Sequence, residues 1–187
     1  MLSRRSLLVG GLTALAFGRA RDANATLVLP VTLTELVSES QHAVVATPGA
    51  ATSRWETIGG RERIVTYTPL HIEYTLDGTS PASEVMVRTL GGRVGDIGQL
   101  VPGEAALRQG ASSALFLEPV ATAVFGVTAM AQGHYPILAD EKGARRLKAN
   151  TLSFSKLSPD AALVRLDGQT VVDVEKLVSQ EVASGAR

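Results

Sequence analysis

From Ile64 to Leu76 the chain alternates. Ile64, Thr66, Thr68, Leu70, Ile72, Tyr74 and Leu76 fall on one side, and Val65, Tyr67, Pro69, His71, Glu73 and Thr75 on the other. Period two over this length predicts one long strand with an apolar face, bent around a core, with Pro69 marking an edge position or a bulge. Asp77 and Gly78 then turn the chain into a second alternating run, in which Val85, Val87 and Thr89 oppose Met86, Arg88 and Leu90. Upstream, Thr32-Leu33-Thr34-Glu35 has the spacing of a capping box. It opens a short helix whose apolar face is Leu33, Leu36 and Val37, with Val31 placed to staple onto Leu36. Ala43 to Thr47 reads as a strand ended by Pro48 and Gly49. The apolar stretch from Ala114 to Ala131 is broken by Glu118, Pro119 and Gly126, which predicts two strands, the second about Val124 to Ala131, rather than a membrane helix. A further strand, His134 to Ala139, turns at Asp140-Glu141-Lys142-Gly143 and returns through Ala144 to Ala149. Beyond Ser158 and Pro159 the period changes: Thr170 and Asp173 cap a helix whose stripe is Val171, Val174, Leu177, Val178 and Val182. The expectation is an all-β chain, closed as a barrel or packed as a sandwich, with short flanking N- and C-terminal helices.

The run Glu84 to Leu90 and the run Ser113 to Leu117 bracket an insert containing Gly91, Gly92, Gly95, Gly98, Gly103 and Gly110. Glycine admits positive φ and close backbone approach, so regular structure is not expected there, but a specifically folded loop is. Arg88, Gly91, Gly92, Arg93, Gly95, Asp96, Gly98 and Gln99 are the candidate ligand or partner residues. A phosphate-cradling loop fails on spacing: no Lys-Ser/Thr pair follows and no G-x-G-x-x-G is present. Asp96 reads as a turn residue and Arg93 as a solvated side chain.

The N-terminus changes the picture of address. Residues 1–25 combine a basic start with Arg4 and Arg5, an apolar run from Leu7 to Phe17, and the small-x-small triplet Ala23, Asn24, Ala25. This predicts an export signal cut before Thr26, leaving residues 26–187 as one domain in the periplasm or outside the cell with no membrane span of its own. Ser3-Arg4-Arg5-Ser6-Leu7-Leu8 resembles the twin-arginine signal, with Leu7 in place of its usual Phe and without the final Lys. Losing the four arginines and one aspartate of residues 1–25 leaves 14 basic and 17 acidic groups, a net charge near −3 that argues against nucleic acid as a partner. Cysteine is absent, which removes disulfides and thiolate chemistry.

In chain order, the helix around Leu36, the strand at Ala43 to Ala46, the long strand ending Glu73-Tyr74-Thr75-Leu76-Asp77-Gly78 and the strand at Val85 to Val87 resemble an OB-like barrel, the oligonucleotide/oligosaccharide-binding kind. Within that class they resemble the netrin and tissue-metalloproteinase-inhibitor version. Those inhibitors act through an N-terminal cysteine, so inhibition is not implied here. Arg88-Thr89-Leu90-Gly91-Gly92, Gly95-Asp96, Gly98-Gln99, Val101-Pro102-Gly103-Glu104, Leu115-Phe116-Leu117 and Met130-Ala131-Gln132-Gly133 also resemble a group of exported bacterial proteins without an assigned activity. That resemblance implies architecture and address only.

His42, His71 and His134 stand apart, with no pairing that would place two nitrogens on one face. Ser112 and Ser113 read as loop, outside any nucleophile elbow. Trp55 is either a ligand-stacking aromatic or an anchor in a core or loop. The functional expectation is an exported, non-catalytic binding module with no cofactor and an unidentified protein or envelope component as partner. The alternative is an exported enzyme or a metal- or cofactor-carrying protein using the twin-arginine route.

Overall fold

A computed structural model of the chain describes residues 29–78, 82–150 and 157–186. Arg4, Arg5, Ala23 and Ala25, the residues expected to form an export signal, lie outside them. The structure is mostly β-sheet with short helices. Helix α1, Leu33–Glu39, begins at the capping box: Thr32 Oγ1 accepts from the Glu35 amide at 3.2 Å and Glu35 Oε2 accepts from the Thr32 amide at 2.8 Å. Leu33, Leu36 and Val37 are fully buried, each side chain contributing about 1.5 to 3 kcal/mol of transfer free energy. Strands β1 (His42–Pro48), β2 (Thr52–Ile58), β3 (Arg61–Thr75) and β4 (Glu84–Leu90) follow. A small hairpin of β5 (Gly92–Val94) and β6 (Ile97–Gln99) precedes β7 (Ser113–Ala121), β8 (Val124–Val127), β9 (His134–Ala139) and β10 (Arg145–Leu147). Helices α2 (Ala162–Leu166) and α3 (Val171–Glu181) end the described chain, with a last turn that breaks at Gly185.

The main sheet has eight strands. Its path runs β1-β3-β4-β8-β7-β9-β10 with β2 attached to β3. Because β1 also pairs with β7, the strands β1, β3, β4, β8 and β7 meet in a ring. Every pairing in it is antiparallel except β4 with β8, where Met86 lies opposite Val124 and Val87 opposite Phe125. Alternate side chains of the ring strands, Val44, Ala46, Leu70, Val85, Val87, Leu115, Leu117 and Val127, form one apolar cluster inside it. The intervening residues Ala43, Val45, Ala114 and Phe116 form a second cluster with Tyr135 and the buried faces of α1, α2 and α3. Strands β1 and β7 are therefore covered on both sides, which is why their sequences are continuously apolar rather than alternating. Among the described residues, the members of both clusters and the side chains packed against them fall within 31–186.

Several expectations change. The bend in β3 is not at Pro69, which sits opposite Met86 in a regular ladder. The register slips where Val45 faces Tyr74 and Ala46 faces Ile72, so Glu73 is the extra residue. A bulge reverses side-chain parity. Leu70 and Ile72 thus pack with the ring cluster, whereas Tyr74 and Leu76 pack with the helices, and the single even-numbered face splits in two. Strand β2 was not expected; it forms a hairpin with β3 through Gly59 and Gly60, both at positive φ. The strand expected to reach Ala131 stops at Val127, and Met130–Gly133 is a 3-10 turn.

That turn anchors the start of the described chain. The buried Gln132 side chain accepts from the Val31 amide and donates to the Leu29 carbonyl, each at 3.0 Å. Among the described residues no helix is long and apolar enough to cross a membrane.

Candidate functional site: the glycine hairpin and its base

The glycine-rich insert contains regular structure after all. Gly92 pairs with Gln99, Arg93 with Gly98 and Val94 with Ile97, and Gly95-Asp96 form a two-residue turn. The expectation of an irregular loop fails because glycines at both ends relieve the backbone of side chains while the residues between them extend. Gly91, Gly92, Gly95, Gly103 and Gly110 have positive φ; Gly98 does not.

The base of the hairpin is locked to β2 and β3. Ile64 donates its amide to Gln99 Oε1 at 2.8 Å and accepts from the Gly91 amide at 2.7 Å. Thr66 Oγ1 donates to the Gly91 carbonyl at 2.7 Å and lies 2.9 Å from Ser53 Oγ, which accepts from the Arg93 amide at 3.4 Å. With φ at 129°, a Cβ on Gly92 would overlap both hydroxyls of that pair. At the tip, by contrast, Gly95 has φ 59° and open space around it. Gly92→Ala is accordingly expected to cost about 2 kcal/mol, from strain and lost hydrogen bonds, and Gly95→Ala about 1 kcal/mol from the left-handed backbone alone. Urea unfolding of the two variants measures the difference; equal losses would mean the base is not packed as described.

What the lock holds out is partly apolar. Ile97 is 57% exposed and Leu100 90%, with Trp55 on the adjoining β2 at 43%. Trp55 is thus neither a core plug nor buried in a loop; it lies opposite Ile64 in the β2–β3 ladder. Arg93 and Asp96 point into solvent, their charged atoms 4.0 Å apart, a geometry that contributes little to stability. Arg93 Nε donates to the Gly95 carbonyl at 2.9 Å, which orients the guanidinium along the turn.

Arg88 belongs to a different face. On the outward side of β2, β3 and β4, Glu56 Oε1 accepts from Tyr67 Oη at 2.7 Å and from Arg54 Nε and Nη2 at 2.9 and 2.6 Å. Arg88 Nη1 approaches Glu56 Oε2 at 3.5 Å, and the Arg54 guanidinium stacks 4.2 Å from the centre of the Tyr67 ring. The bond from Tyr67, then those from Arg54, hold the Glu56 carboxyl below the usual range. The alternation Arg54-x-Glu56 was the sequence signal for this cluster once β2 is recognised as a strand.

Downstream, the two halves of the sequence signature meet. Glu104 Oε2 accepts from the Leu90 amide and Oε1 from the Ala105 amide, each at 3.0 Å, and Ala105 closes one end of the ring cluster. The Gly103 carbonyl accepts from the Ala131 amide at 2.9 Å, just after Ala129 and Met130, two non-glycine residues at positive φ. Val101-Pro102-Gly103-Glu104 and Met130-Ala131-Gln132-Gly133 are in this way one structural unit.

Other polar groups are engaged elsewhere. The bulged Glu73 accepts from Thr47 at 2.8 Å, Ser112 at 2.7 Å and Arg145 at 2.8 Å. Partial burial pushes its carboxyl up, but these three bonds outweigh burial and the net direction is down. Ser112 is therefore a bonded member of this network, and Ser113 is the buried first residue of β7 rather than loop. His71 is exposed, while His134 is buried with Nε2 3.2 Å from Ser113 Oγ and no partner at Nδ1. Among the described residues no group of three or more His, Asp or Glu side chains could hold a metal ion. A shallow groove of about 200 Å³ lies beside β10, its Arg146 bound to Asp140 at 2.7 Å and its Lys148 to Asp167 at 3.3 Å. No family model, curated protein or solved structure matches this chain.

Proposed function

We propose that this chain is an exported, non-catalytic binding module on an OB-type barrel of the netrin-like kind, with residues 1–25 as its signal and an envelope component as its partner. Counting only the ring strands in chain order, their spatial sequence is first, second, third, fifth, fourth and back to first, with the third and fifth parallel. That Greek-key order supports the OB reading, a scaffold that presents ligands to strand faces and the loops beside them. The observation that carries the functional reading is the glycine hairpin: its base is fixed by five hydrogen bonds to β2 and β3 or between their side chains, while Ile97, Leu100, Arg93 and Asp96 stand out in solvent. Exposed side chains on a rigid mount are pre-organised, and pre-organisation is what lowers the entropic cost of binding.

Immobilised residues 26–187 are expected to capture a component of the native envelope, and Arg93→Ala with Asp96→Ala to weaken that capture at unchanged melting temperature. Capture that survives both substitutions would remove the hairpin from the reading.

A further inference from the structure

Strand β2 is an open edge. Among the described residues its one ladder partner is β3, with Thr52 to Ile58 lying opposite Tyr67 to Arg61 without a bulge. Residues facing each other in an antiparallel ladder either exchange both backbone bonds or turn both away. Ile64 directs its amide to Gln99 and its carbonyl to the Gly91 amide, away from β2. Trp55, opposite Ile64, therefore turns its own N–H and C=O outward from the edge, and Ser53 and Thr57 do the same by alternation. Among the described residues no hydrogen bond reaches those backbone groups, and the glycine hairpin bonds to β2 through the Ser53 hydroxyl instead. Edges of this kind are commonly blunted by proline, lysine or a bulge, and Thr52-Ser53-Arg54-Trp55-Glu56-Thr57-Ile58 has none of them. The other end of the sheet is protected: β10 has three residues, and Thr170 bridges to Arg146 within it.

The strand is also complementary to itself. An antiparallel partner must set outward-turned residues against outward-turned ones, so pairing with a second copy centres the two-fold axis on a residue. Centred on Trp55, all seven residues of β2 are matched: Thr52 with Ile58, Ser53 with Thr57, Arg54 with Glu56, and Trp55 with its counterpart. Moving the centre one residue earlier sets Arg54 against Arg54, and one residue later sets Glu56 against Glu56. Like charges directly opposite destabilise a ladder and opposite charges stabilise it, which selects the Trp55 register over its neighbours. In that register Arg54 and Glu56 meet at a pair without backbone bonds, where side chains approach most closely. Glu56 Oε1 already accepts from Arg54 of its own strand at 2.6 Å, while Oε2, 3.5 Å from Arg88 Nη1, is left to accept from Arg54 of the second copy. We propose that a second copy of this chain docks along β2, antiparallel and two-fold about Trp55, joining the two sheets into one. Ser53 with Thr57, and Trp55 with its counterpart, exchange backbone bonds across the seam. The half-exposed Trp55 rings lie side by side on one face and the Arg54 and Glu56 side chains alternate on the other. The pairing is independent of the envelope partner proposed for the glycine hairpin.

Sedimentation equilibrium of the full chain is expected to show a reversible monomer–dimer equilibrium with a dissociation constant below about 1 mM. Trp55 is the single tryptophan of the chain, so its emission should move to the blue as the dimer forms. Thr57→Pro removes an outward N–H that β3 does not use. It should leave the far-ultraviolet circular dichroism of the monomer unchanged and raise the dissociation constant about tenfold or more. Arg54→Glu and Glu56→Arg each place like charges across the seam and should each weaken the dimer about tenfold alone. Mixed in equal amounts the two variants should associate as the parent does, because every carboxylate again meets a guanidinium. That restoration reads the Trp55 register directly and does not require Thr57→Pro to fold. A parent chain that stays monomeric at about 1 mM overturns the proposal. So does a dimer that a folded Thr57→Pro variant leaves as tight, or charge variants that associate no better mixed than apart.

Discussion

Phe116→Ala is expected to lower the unfolding free energy by about 3 to 5 kcal/mol, the range for removing a buried aromatic ring and leaving a cavity. Phe116 is fully buried and meets Tyr135 edge to face, the ring centres 6.2 Å apart at 72°. Its neighbours in β7, Leu115 and Leu117, face into the ring of strands, whereas Phe116 faces the helices. The loss therefore falls on the layer joining α1, α2 and α3 to the sheet. A double-mutant cycle with Tyr135→Leu should return a coupling of about 0.5 to 1.5 kcal/mol beyond the burial of either side chain. Denaturant unfolding followed by far-ultraviolet circular dichroism measures both. A loss below about 1 kcal/mol for Phe116→Ala would mean that the helices do not cover this face of β7.

The second large effect is set by acid. Burial pushes the His134 imidazole down to about 4, and its Nδ1 has no partner to receive a proton's charge. In the unfolded chain the same group titrates near its ordinary value of 6.5. Between those values the unfolded state binds a proton that the folded state refuses, so stability falls as pH falls. The contribution is fully present above pH 6.5, is lost progressively down to pH 4, and does not change further below it. The span corresponds to about 3 kcal/mol. His134→Gln keeps a polar group within reach of Ser113 but cannot titrate. Glu56, Asp140 and Glu181, whose carboxyls are also held down, add acid sensitivity of their own, but equally in both proteins. The test is the difference between parent and variant: stability curves that stay parallel from pH 7 to 4 would show that His134 is not buried neutral.

Legibility in the sequence follows the range of the interaction. The capping box at Thr32 and Glu35, the Thr170 cap of α3, and the turn from Asp140 to Gly143 are short-range chemistry, and the structure has each where the residues placed it. Strands β1 and β7 were visible as apolar runs, yet their sequences carry no parity because both faces are covered. Strand β2 is mostly exposed and polar, so no hydrophobic period announces it; the signal lay in the Gly59-Gly60 turn. The bulge at Glu73 is set by what β1 needs opposite it, and no feature of β3 alone marks it. At the candidate site the glycines were readable, whereas the latches were not. Gln99 serves Ile64, Glu104 serves Leu90, and Arg88 finds Glu56 only after folding has brought separate strands together.

Closing the ring has a consequence for timing. The first ring strand, around residues 42–46, waits for residues 113–117, and the parallel join needs residues 124 and 125. During synthesis the early strands are exposed without their final neighbours until most of the polypeptide has left the ribosome. Folds dominated by such distant pairings mature slowly. The newborn chain thus has an interval in which it is still a thread, and the export proposed for it would be a race: an exporter that pulls unfolded polymer must engage before the ring shuts, and one that carries finished proteins must wait until it has.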